Sequence, residues 1–148
     1  MIQIPPKVRI PLCIESGSVF NFYIEFDSTR RESKNRYFVV LNDNPRNDVI
    51  LVMLTPTTKI EKTKTLVRNW KISLKTVVEV NQGDHCIFTK DCVFNCNDAF
   101  GVSMDNLVKK IEENGSMNYP IMPEDIIKRL IVGIKESPRV SPEIKKLL

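Results

Sequence analysis

The stretch "SVFNFYIEF" (18–26) alternates strictly. Phe20, Phe22, Ile24 and Phe26 fall on one side of an extended chain, and Val19, Asn21, Tyr23 and Glu25 on the other. A period of two with one strongly apolar face predicts a half-buried β-strand. Two further runs, "RYFVVLN" (36–42) and "VILVMLT" (49–55), are apolar at successive positions, which predicts strands buried on both faces and paired as a hairpin. Between them "DNPRND" (43–48) predicts a tight turn, because Asn44 before a proline is biased to extended backbone and Asx side chains fold back on their own main chain. The polar, aperiodic "DSTRRESKN" (27–35) predicts a loop. "TLVRNWKISL" and "TVVEVN" read as further strands around 65–81, and "CIFTKDCVFNCN" as the last. Five or six short strands over residues 8–100 predict a mainly β unit, either a small antiparallel barrel or a strongly bent sheet.

Residues 103–148 change period and punctuation. Ser103 is placed to cap a helix over Met104 to Asn114, which Gly115 ends. In "MPEDIIKRLIVGIKESP" (122–138), Pro123 suits a first helical position, Glu124 and Asp125 complement the helix dipole, and Pro138 stops the run. Ile126, Ile127, Leu130, Ile131 and Ile134 form its apolar stripe. A short third helix starts at Ser141 with Pro142 just inside it. The expectation is a single domain over 1–148, β over 8–100 and helical over 103–148, with the helices packed on the sheet or on a second copy of the chain.

A chain of 148 residues buries a core without staples. No apolar run approaches the roughly 20 residues that span a bilayer, so no membrane association is expected. The amino-terminal "MIQIPPKVRIPLCIESG" lacks the basic-then-apolar order of a signal peptide. A cytoplasmic location follows as the expectation, with the four cysteines as free thiols.

"GDHCIFTKDCVFNC" (83–96) holds the sole histidine and three of the four cysteines. A zinc site needs converging ligands, commonly as CxxC or HxxxH, and neither spacing occurs. On a strand, Cys92 and Cys96 share a face but stand about 13 Å apart, beyond disulfide reach or joint coordination of one ion. These cysteines therefore read as small buried hydrophobes rather than metal ligands. His85 and Cys86 would face opposite ways on a strand, which argues against a Cys–His nucleophile. No metal and no cofactor is expected: the five glycines form no phosphate loop, and no HExxH or GxSxG is present.

Net charge is +4, and it is uneven. Residues 59–75 carry Lys59, Lys62, Lys64, Arg68, Lys71 and Lys75 against Glu61 alone, with the sole tryptophan, Trp70, among them. One reading is a phosphate-binding face with an aromatic beside it. The other is a solvated hairpin whose tryptophan packs in the core. Without a catalytic acid pair, an enzyme here would use Arg, Lys, Thr and His on a phosphodiester, where a cation stabilises the phosphorane.

"SGSVFNFYIEF", a loop, "KNRYFVVLN" and "VILVMLTPTTKI", closed by "CIFTKDCVFNC", resemble the PemK/MazF-like toxins of type II toxin–antitoxin systems over roughly residues 16–97. The resemblance implies an SH3-like barrel with a C-terminal helix, a homodimer, a cognate antitoxin as partner, and metal-independent cleavage of single-stranded RNA. It implies that Arg36 holds the scissile phosphate and that Thr58, preceded by Thr57, stands at the catalytic Ser/Thr position. Lys34, Thr57, Lys59, Lys62 and His85 are then candidates for holding the RNA backbone. Tyr37 stands where the family usually has Pro, Thr58 where Ser is usual, and the 103–148 segment exceeds the usual tail. A different reading of the same residues is a non-catalytic module that docks nucleic acid or protein.

Overall fold

The computed structural model describes residues 4–23 and 35–148. Among them seven strands form two antiparallel sheets, covered by five helices. The first sheet contains β1 (Val19–Phe22), β2 (Arg36–Val40), β3 (Ile50–Leu54) and β7 (Phe100–Ser103), in the order β1-β2-β3-β7. The second contains β4 (Pro56–Thr57), β6 (Cys92–Asn95) and β5 (Val77–Val80), in the order β4-β6-β5. The sheets do not close into a barrel, so the closed form of the expected architecture is corrected, while the antiparallel β unit with C-terminal helices holds.

The central sheet is buried on both faces, as the continuous apolar runs predict. Val39, Leu41, Val52 and Leu54 join one core cluster with Phe94 of β6 and with Ile126, Leu130 and Ile134. Those three isoleucine and leucine side chains belong to α4 (Glu124–Glu136). Phe38, Val40, Leu51 and Met53, the alternate residues, join a second cluster. It is completed by Ile10 of α1 (Pro6–Cys13) and by Leu107 and Ile111 of α3 (Met104–Asn114). The molecule is thus layered: α1 and α3, then the first sheet, then the second sheet with α4. Phe22 and Phe38 stack across β1 and β2 with ring centroids 4.3 Å apart.

The β2–β3 hairpin turns through a short 3-10 segment, Pro45–Asn47. Asn42, fully buried, holds it from beneath: its amide donates to Asp48 and to the Ile50 carbonyl, and its Oδ1 accepts from Val52 N–H at 2.6 Å. Gly17 leads β1 with φ +89°, donating to the Val40 carbonyl and accepting from Met122 N–H. The left-handed backbone there is what requires glycine, since a Cβ would first meet the movable end of Ile127, at 2.4 Å from Cδ1.

The caps expected at Ser103, Gly115 and Ser141 are present, while the start of α4 differs by one residue. Ser103 Oγ accepts from Asn106 N–H to cap α3, and Gly115 follows its last residue. Pro123 is the N-cap of α4 rather than its first residue. Ser141 caps α5 (Pro142–Lys145) by accepting from Ile144 N–H.

Three expectations are overturned. Residues 65–74 are not strand: α2 spans Ile60–Asn69, because Ile60, Thr63, Lys64 and Val67 recur at helical spacing and Glu61, Lys62 and Leu66 between them are good helix formers. The last strand is β7, not the cysteine-bearing β6, whose strand begins only at Cys92. The α1 helix was hidden by its prolines: Pro6 sits at the tolerated N1 position, and Pro11 comes two residues before the helix ends. The last third of the predicted 18–26 strand, residues 24–26, and all but Asn35 of the 27–35 loop lie outside the described residues.

Candidate nucleic-acid interface

β3 and β4 are separated only by Thr55, yet they belong to different sheets. The β2–β3 ladder ends at Val39↔Leu54, and β4 leaves to pair Pro56↔Phe94 and Thr57↔Val93. This fork decides where the candidate residues go. Arg36 pairs with Phe22 at the head of β2. Phe22 packs in the α1/α3 cluster, and antiparallel partners share a face, so Arg36 lies on that side of the first sheet. Tyr37, its neighbour, packs on the other side, against the inter-sheet core. Thr57 and Thr58 belong to the second-sheet arm, with Thr58 exposed. The fork therefore sets Arg36 and Thr58 on separate arms, and no hydrogen bond among the described residues joins them.

Tyr37 has a partner from the segment before α4. Tyr119 meets Tyr37 edge-on with ring centroids 5.4 Å apart, and its hydroxyl lies 2.7 Å from Ser116 Oγ. Burial, with Tyr119 and Cys86 nearby, pushes the Tyr37 phenol above its ordinary value. His85 locks the same segment from below. Its Nδ1 accepts from Ile87 N–H at 3.2 Å, which leaves the ring hydrogen on Nε2 to donate to the Pro120 carbonyl at 2.8 Å. At 6% exposure with both nitrogens engaged, His85 is a structural clamp and not an RNA-facing group. Cys86 Sγ lies 3.7 Å from His85 Nδ1, because the pair occupies a turn and not a strand, but that nitrogen's lone pair is already taken by Ile87. Lys34 lies outside the described residues.

Cys92 and Cys96 are buried. Burial pushes the Cys96 thiol up to about 12, and burial followed by the nearby Asp91 raises Cys92. Among the described residues no group of His, Cys, Asp or Glu converges to hold a metal. A small cleft of about 110 Å³ between α1 and residues 117–121 contains none of the candidate residues.

The cations collect elsewhere. Lys59 occupies the N-cap position of α2, and its N–H donates to Thr57 Oγ1. Thr63 and Val67 are buried, so Lys62 and Arg68 fall on the outward side with Glu61 and Leu66. Lys64 is withdrawn from this set by Glu79, 2.8 Å away. Among the described residues Lys59, Lys62, Arg68, Lys71 and Lys75 have no ion-pair partner. Of the sequence candidates, Thr57, Thr58, Lys59 and Lys62 run together from β4 into α2, Arg36 heads a strand of the other sheet, and His85 is buried in a turn.

Sequence reasoning left the end of α2 without a structural account. Lys71 N–H bonds the Arg68 carbonyl and Ile72 N–H bonds the Val67 carbonyl, a Schellman closure. Its left-handed position is occupied by Lys71, at φ 59°, where glycine is usual. A non-glycine there costs about 1–2 kcal/mol. Beside it, half-buried Trp70 is covered by Arg139, whose guanidinium carbon lies 3.9 Å from the ring centroid. Neither of the two readings offered for Trp70 anticipates this partner, because Arg139 arrives from the end of the C-terminal segment. Compared with models of known protein families the chain matches none, and no curated protein matches it.

Proposed function

We propose that the protein is a PemK/MazF-like member of a toxin–antitoxin pair, with its SH3-like barrel opened at the β3–β4 fork, that binds single-stranded RNA through the outward side of α2. The observation that carries this reading is the run of cations without acidic partners among the described residues, Lys59, Lys62, Arg68, Lys71 and Lys75, which begins directly after the exposed Thr58. Phosphates reward such a surface by counterion release, which gives affinity without demanding one fixed pose. A cytoplasmic setting, an antitoxin partner and self-association as a homodimer belong to the same proposal and rest on the resemblance.

Binding is favoured over cutting because Arg36 heads a strand of the first sheet, Thr58 follows a strand of the second, and no hydrogen bond among the described residues joins them. Cleavage is the second reading. Fluorescence anisotropy with a labelled single-stranded RNA tests the first. If four of the five cations meet phosphates, log Kd changes with log salt by a slope of about 3. Lys62→Glu with Arg68→Glu is expected to abolish binding, and unchanged affinity in that variant would sink the proposal. Incubation with RNA in excess chelator tests the second: cleavage that Arg36→Ala abolishes would establish it, and an intact substrate would remove it.

A further inference from the structure

We propose that the Arg139–Trp70 stack is a base-stacking platform for single-stranded RNA, set at the C-terminal end of α2 between the cations Arg68 and Lys71. It rests on the RNA-binding reading above and adds to it the place where a base, rather than a phosphate, is held.

Three observations converge on this point. First, the guanidinium carbon stands over the indole at 3.9 Å from its centroid, close enough for a stacked approach, while Arg139 as a residue is exposed. A guanidinium plane stacked on an aromatic ring presents a cationic flat surface, which is a recurrent seat for an unstacked base. Second, Lys71 occupies a left-handed position where glycine would relax the backbone, and this sets a cation immediately beyond Trp70. Strain retained at one residue is typical of sites where the side chain has work of its own. Third, the platform is held rigidly from within. Arg139 N–H donates to Ser137 Oγ, and Ser137 Oγ donates to Asn97 Oδ1. The Asn97 amide in turn reaches Thr76 Oγ1 and Asn95 Oδ1 at 2.8 and 2.9 Å. Ser137, Asn97, Asn95 and Thr76 are all buried, so the base of Arg139 does not wander.

Asp98 is near enough to feel the Arg139 charge, which draws its carboxyl down against the stronger upward push of burial. The Arg139 charge is therefore partly offset, and its planar surface is what distinguishes it from the lysines of α2. That separates two kinds of ligand: a base should need Arg139 as arginine, whereas a phosphate chain should need only the positive charges.

Trp70 is the chain's single tryptophan, so its intrinsic fluorescence reports this site alone. The full chain is titrated with a short oligoadenylate RNA and, separately, with inorganic polyphosphate. Oligoadenylate is expected to quench Trp70 saturably and polyphosphate to bind with little quenching. Arg139→Lys, which keeps the charge and loses the plane, is expected to weaken oligoadenylate at least about fivefold while leaving polyphosphate within about twofold. Equal losses on the two probes, or no loss on either, overturn the platform and leave RNA binding standing. Failure of the native chain to bind oligoadenylate at all removes the platform and the RNA reading together. Lys71→Gly is the companion variant: its melting temperature is expected to rise as the backbone relaxes while oligoadenylate binding weakens, and unchanged binding removes Lys71 from the site.

Discussion

Gly133→Ala in α4 sets two well-known effects against each other. In an exposed helix interior, alanine is worth about 1 kcal/mol over glycine. Here the added Cβ would stand 2.5 Å from Cys96 Sγ, 3.1 Å from Cys96 Cβ and 3.1 Å from the Lys75 carbonyl oxygen. Cys96 is fully buried, with its thiol directed to the Leu130 carbonyl at 3.6 Å, and the Lys75 oxygen belongs to backbone. Neither neighbour is the loose end of a flexible side chain. Overpacking of this kind costs about 1–3 kcal/mol, and a contact as short as that to the sulfur belongs at the upper end. The clash wins, for a net loss of about 2 kcal/mol, or about 4–8 °C in melting temperature for a domain of this size. Thermal unfolding followed by circular dichroism measures it. Cys96→Ala removes the sulfur, so in that background the Gly133→Ala penalty is expected to shrink by at least about 1 kcal/mol, read as the coupling of a double-mutant cycle. A melting temperature that rises in Gly133→Ala, or strict additivity of the two substitutions, would refute the reasoning.

Asn97→Ala strips partners from Thr76, Asn95 and Ser137 at once, and a loss of about 3 kcal/mol in urea unfolding is expected. With its thiol at about 12, Cys96 is expected to resist iodoacetamide in the folded chain near pH 8, where exposed Cys13 and Cys86 react; mass spectrometry of the labelled chain checks the order. Burial raises the Asp98 carboxyl above its unfolded value, so the folded state binds that proton more tightly, and the charged form opposes folding at neutral pH. Asp98→Asn is therefore expected to stabilise the fold at neutral pH, with the gain vanishing as pH falls through the carboxylate range, as a pH series of denaturation midpoints would show.

Legibility in the sequence followed the range of the interactions. The helices of the C-terminal segment were readable because Ser103, Gly115 and Ser141 act within one turn of themselves. The doubly buried β2 and β3 were readable because continuous apolarity has no other use in so short a run. The α2 helix was misread as strand because Thr63, Thr65 and Val67 are good strand residues, and its helical period became decisive only once Thr63 and Val67 had the second sheet to pack on. His85 looked available because nothing local predicts that Pro120, distant in sequence, supplies its acceptor. The joining of Trp70 to Arg139 was illegible for the same reason: it spans most of the second half of the chain, and neither residue's neighbours announce the other.

The two core clusters on opposite faces of the first sheet have a consequence for how such a chain can diverge. Residues alternate between clusters along β2 and β3, so the α1/α3 side and the second-sheet/α4 side share backbone but few side-chain contacts. Either half can be repacked by substitution without forcing compensating changes in the other. A lineage is then free to lengthen, swap or redecorate the α4 side, where Arg139 is carried, while the β2–β3 hairpin and its α1/α3 backing stay recognisably the same.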